Sequence, residues 1–166
     1  MKQNNFSDKK QAFLFTLHRM KRLKTLKLTI CAVMILVTLN VHAQNAVNWT
    51  EKQLIEPSEL ANIITNRSDS VIIISVGPFN TIPGSIHTGM AGEKEGLKKF
   101  REQLNKIGKN SKIVIYCGCC PFEHCPNVRP AIDALKEMNF TNYYLLDLPH
   151  NIKINWIDKG YPVAPQ

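Results

Sequence analysis

Two short runs constrain this chain more than anything else in it. Val71–Ser75 (VIIIS) and Lys112–Tyr116 (KIVIY) are almost continuous β-branched or aromatic residues. They lack the polar alternation of a strand with one face in water, so each reads as a strand covered on both faces. Between them, Leu97, Phe100, Leu104 and Ile107 recur at helical spacing in a segment from Glu93 to Ile107 that Gly108-Lys109-Asn110 stops. Pro57 and the acids around it open an earlier helix, with Leu60, Ile63 and Ile64 on one face. Ile132, Leu135 and Met138 mark another over Val128 to Met138. Tyr143–Asp147 is a third strand and Asn151–Asp158 a short last helix. Strands alternating with helices predict an α/β domain with a central parallel sheet flanked by helices on both faces. Asn45 to Thr50 reads as a loose lead-in. In such sheets ligands bind beyond the carboxyl ends of the strands.

The formal charge of +8 is not spread over this domain. Residues 1–43 carry eight Lys/Arg and one acid, whereas the remainder carries 13 Lys/Arg and 12 Asp/Glu. No basic stripe with interleaved aromatics exists in the body, so nucleic acid is not an expected partner. The basic end reads instead as a secretory signal: a positive segment from Met20 to Lys27, an apolar run from Leu28 to Val41, and the small-residue pattern Val41-His42-Ala43. Residues 1–43 are thus a signal peptide, with Met20 an alternative start, and 44–166 the mature domain. The apolar run is short for a membrane span. Cys31 follows Ile30 where a lipid-attachment signal wants a small residue, so no stable anchor is expected after cleavage. The expectation is a bacterial protein of the periplasm or the medium, where disulfides persist.

Four of the five cysteines lie within the nine positions from Cys117 to Cys125, in YCGCCPFEHCP. Cys117 directly follows a buried strand, and a helix begins about ten residues later. Backbone N–H groups and the positive helix end in such a loop lower a thiol's pKa, which makes Cys117 the candidate nucleophile. Three readings of the cluster stay open at this level. One is a reactive Cys117 with its surroundings. Another is a disulfide staple, for which Cys117–Cys120 or a bridge to Cys125 is easier than one between adjacent Cys119 and Cys120. The last is a soft-metal site through Cys119, Cys120 and Cys125, with no second cysteine pair to complete a structural zinc site. His124 in the loop is a candidate anion donor, and His87 a structural histidine.

Four segments in order resemble the rhodanese-like sulfurtransferase family over roughly Gln53 to Val163. Ile82-Pro83-Gly84-Ser85-Ile86-His87 is similar to its HIPGA segment, and Ile113–Cys117 to the hydrophobic strand ending in the active cysteine. Asn139–Leu146 and Trp156 with Gly160-Tyr161-Pro162-Val163 resemble the segments that follow. The resemblance implies a single rhodanese-like α/β domain whose Cys117 accepts sulfane sulfur from thiosulfate or a persulfide and passes it to a thiol. It implies a small anionic donor, a thiol acceptor and no cofactor. Gly118, Cys119, Cys120, His124 and Arg129 are the expected substrate- and anion-binding positions.

The chain also departs from the family. Ser75 and Gly77 stand where an Asp-x-Arg is common, and Phe122 stands where the loop arginine belongs. The loop is longer by about five residues, and Cys119, Cys120 and Cys125 lie in that insertion as resolving or disulfide cysteines. Arg129 and Asn127 compete for the arginine's place. Arg129 would otherwise pair with Asp133 one turn on. Two alternatives follow: a thiol–disulfide oxidoreductase using Cys117 and Cys120, or a module without turnover that binds a soft metal or a partner.

Overall fold

The computed structural model describes residues 47–165. The leader, its boundary at Ala43, and Cys31 lie outside the described residues. Five strands form one sheet: β1 (Leu54–Ile55), β2 (Val71–Ser75), β3 (Ile86–His87), β4 (Lys112–Tyr116) and β5 (Tyr143–Leu146). Their order is β1-β5-β4-β2-β3, with every pairing parallel. The helices are α1 (Pro57–Asn66), α2 (Lys94–Leu104), α3 (Val128–Glu137) and α4 (Ile152–Asn155).

The two β-branched runs are adjacent central strands, paired from Val71 with Lys112 to Ser75 with Tyr116. Alternate residues of each then face opposite layers. Ile74, Ile113, Ile115, Tyr143 and Leu145 pack against Phe100 and Leu104 of α2 and Val128, Ile132 and Leu135 of α3. Ile73, Val114, Tyr116 and Leu146 pack against Leu60 and Ile63 of α1, Ile152 and Trp156. Both faces are therefore covered, as the absence of polar alternation predicts. Among the described residues no helix is long and apolar enough to cross a membrane.

Several details differ from the sequence expectation. The two-residue strands β1 and β3 have no pattern long enough to register as strands, yet they form both edges of the sheet. The last helix ends at Asn155, and a single 3-10 turn over Ile157–Lys159 replaces its second half. Buried Trp156, donating from Nε1 to the Pro162 carbonyl at 2.7 Å, sits at the break. Within the expected lead-in, Asn48 and Trp49 are tied to the domain, and Asn45 and Ala46 lie outside the described residues. Asn48 donates to the Arg129 carbonyl at 3.0 Å and to Asp133 Oδ1 at 2.7 Å. Trp49 lies 5.7 Å, centroid to centroid, from the Phe122 ring.

Candidate active site

The carboxyl ends of β2 and β4 build the site. Val76 N–H donates to the Tyr116 carbonyl at 2.9 Å, extending the pairing one step past the strands and bringing Gly77 against Cys117. A Cβ at Gly77 would lie 2.4 Å from the Cys117 carbonyl oxygen and 2.5 Å from its sulfur. Only a residue without a side chain permits that approach, so this glycine is part of the site rather than mere loop punctuation. His87 is structural, as expected, with Nε2 2.9 Å from the Gly77 carbonyl. The Tyr116 hydroxyl accepts from the N–H groups of Thr81 and Ile82, at 3.0 and 3.2 Å, and so ties the Pro83-Gly84 loop to β4.

The cysteine loop then folds back over the strand ends. Gly118 takes a left-handed φ of 84°, and its carbonyl accepts from Ile152 N–H at 2.9 Å. Phe122 N–H donates to the Leu148 carbonyl at 3.2 Å, and the Phe122 ring is buried beside Trp49. This return carries Cys125 into the core at 0% exposure, beside Cys117 at 3%. The sulfurs of Cys117, Cys119 and Cys125 lie within 4.8 Å of one another. Cys117 and Cys119 are 3.2 Å apart, as are Cys119 and Cys120. Cys119 is exposed, Cys120 half-buried, and all four carry free sulfurs. The sulfurs grouped with Cys117 are thus those of Cys119 and Cys125, whereas Cys120 lies outside that trio and contacts Cys119 and Cys125.

Asn127 completes the pocket. It is 4 % exposed and occupies the N-cap of α3, but its side chain makes no capping bond. Its amide instead donates to Cys117 Sγ at 3.2 Å while its carbonyl oxygen accepts from Gly92 N–H at 2.8 Å. A residue type suited to capping is thereby diverted to hold the nucleophile against a neighbouring loop.

These contacts set the charge of the group. Cys117 is held well below its ordinary range, at about 5. The Cys125 thiol donating to it is the largest cause, burial opposes the shift, and the Cys119 N–H, the Asn127 amide and the Cys119 thiol add to it. Cys119 is pushed up to about 12, first by burial and then by the neighbouring sulfurs of Cys117 and Cys120. Cys125 is pushed up as well, by its bond to Cys117 and by burial. These directions favour the thiolate on Cys117 and the thiol form on Cys119 and Cys125.

The remaining expected residues make other contacts. Arg129 donates to the Glu123 carbonyl at 2.8 Å and lies 5.5 Å from the Trp49 ring centre. Asp133, its expected helix partner, accepts from Asn48. Of the two claimants for the arginine's place, Asn127 is the one bonded to the Cys117 sulfur. His124 is exposed in a 3-10 turn over Phe122–His124, and Gly118 contributes through its carbonyl and its φ.

No protein-family model matches this chain, and no curated protein does either. Among solved structures it is similar to a rhodanese-like domain from Anabaena sp., at TM-score 0.50 and 12% identity over 69% of this chain and 80% of that one. A full-length protein from Lactobacillus plantarum is similar at TM-score 0.49 and 12% identity, over 83% of this chain and 99% of that one. A single-domain sulfurtransferase from Saccharomyces cerevisiae is similar at TM-score 0.47 and 14% identity, over 69% and 95%.

Proposed function

From the premise that the chain is a rhodanese-like domain by fold, we propose that it is a sulfurtransferase with Cys117 as the sulfur carrier. The observation that carries the reading is the convergence of donors on one sulfur. Cys117 stands at the carboxyl end of a central strand and receives the Asn127 amide. The Cys119 N–H and the Cys125 thiol also point at it. A thiolate so held is a nucleophile at neutral pH, and the same donors suit the charge of a persulfide.

In this reading Cys117 attacks the outer sulfur of thiosulfate. The sulfur–sulfur bond of the donor breaks, sulfite leaves with the bonding pair, and a Cys117 persulfide remains. An acceptor thiolate then attacks the outer sulfur of that persulfide, and Cys117 departs as the thiolate it was. No net oxidant is consumed. A persulfide donor serves equally, with a thiolate leaving in place of sulfite.

The test is turnover with thiosulfate, and separately with a low-molecular-weight persulfide, using a thiol acceptor. Transfer by the wild type and none by Cys117→Ser supports the reading. Equal transfer by both sinks it. Export belongs to the same proposal and rests on the basic and apolar pattern of residues 1–43. N-terminal sequencing of the protein recovered from its host should begin at Gln44, and an intact leader would contradict it.

A further inference from the structure

The cysteines of the loop insertion form a geometry that sulfur transfer through Cys117 alone does not require. We propose that Cys117, Cys119 and Cys125 form a three-thiolate binding site for a soft monovalent ion, copper(I). Their three sulfurs already lie within 4.8 Å of one another. A metal–sulfur bond of about 2.3 Å in a trigonal arrangement sets sulfurs about 4 Å apart, so the cage closes by sub-ångström shifts. Among the described residues neither a carboxylate nor an imidazole joins the group. A donor set of sulfur alone selects thiophilic ions over magnesium, calcium or manganese. Three ligands fall short of the four that structural zinc takes, whereas copper(I) needs fewer.

The surroundings are those of a built site. The Asn127 amide and the Cys119 N–H are directed at Cys117, and the Asn127 N–H at Cys125. Such donors orient the sulfurs and offset negative charge, as outer partners do around metal ligands. Cys117 and Cys125 form the buried floor and exposed Cys119 the mouth, which gives an ion a path from solvent. Binding exchanges the remaining thiol protons for one ion, with no change of oxidation state. Because Cys117 serves both, copper(I) and sulfane sulfur exclude each other.

The test is anaerobic titration of the reduced full chain with copper(I) against a chromophoric copper(I) chelator. X-ray absorption then counts the sulfurs around the metal. The expected result is one ion per chain in a three-sulfur shell. Cys119→Ser should weaken affinity at least about tenfold, and Cys120→Ser should change it less than about threefold. Exposed Cys119 keeps the test open should a substitution at buried Cys125 fail to fold. Failure to compete with the chelator, more than one ion per chain, or equal losses in Cys119→Ser and Cys120→Ser would overturn the assignment. Binding is read without reference to turnover, so its failure and that of the sulfurtransferase reading are separable.

Discussion

Asn127→Ala removes one donor from the Cys117 sulfur and leaves the strand, the loop cysteines and Gly77 in place. The lost contact is the amide bond to Sγ at 3.2 Å. A hydrogen bond to a charged group contributes about 1.5–3 kcal/mol, and one pKa unit corresponds to about 1.4 kcal/mol. The Cys125 thiol and the Cys119 N–H remain, so the shift should sit at the lower end, about one unit upward. The sign follows from which form loses the bond. The amide stabilises the thiolate, so its loss raises the pKa from about 5 toward neutrality. The assay is the rate of Cys117 alkylation by iodoacetamide against pH, in reduced, metal-free protein, with the labelled position confirmed by peptide mass. Wild type should reach its plateau below pH 7, and the variant should reach it about one unit later. Asn127→Asp keeps an acceptor for Gly92 but sets a carboxylate beside the thiolate, and should move the midpoint further. A midpoint unmoved in both variants would refute the idea that Asn127 holds the charge on Cys117.

Other expectations concern the frame of the site. Gly77→Ala drives a methyl into the Cys117 carbonyl and sulfur. It should lower urea stability by about 1–3 kcal/mol and slow Cys117 alkylation, and unchanged values of both would contradict the close packing. Tyr116→Phe orphans the N–H groups of Thr81 and buried Ile82. A loss of about 1–3 kcal/mol in denaturant unfolding is expected, with the alkylation midpoint of Cys117 unmoved. Ile115→Ala empties part of the layer beneath α2 and α3, where Ile115 is 0% exposed. It should cost about 2–5 kcal/mol, read as a shift in the unfolding midpoint.

The central strands were legible because a run such as Ile72-Ile73-Ile74 can be buried on both sides in few other ways. Cys117 was legible for the same reason, since its place follows from where β4 stops. The edges were not. Leu54–Ile55 and Ile86–His87 become strands by pairing with neighbours far along the chain, and two residues carry no period of their own. The inner arrangement of the cysteine loop was also hidden. Sequence spacing left Cys120 and Cys125 both open as companions of Cys117, and the return of the chain through Phe122 brings Cys125 beside it. Asn127 was visible only as a claimant for an arginine's position. Its two hydrogen bonds, to Cys117 and from Gly92, depend on a loop 35 residues away in sequence. Glycine at position 77 carried a usable signal, because a glycine two residues past a buried strand marks a close backbone approach as readily as a turn.

The sulfurtransferase proposal stands or falls on sulfane sulfur held by Cys117. Intact mass of the purified, reduced chain after incubation with thiosulfate, and separately with a persulfide donor, reads that sulfur. The prediction is a gain of one sulfur atom per chain, reversed by reductant, mapped to Cys117 and absent from Cys117→Ser. A chain that stays unmodified with both donors, or a sulfur that maps to another cysteine, would contradict it.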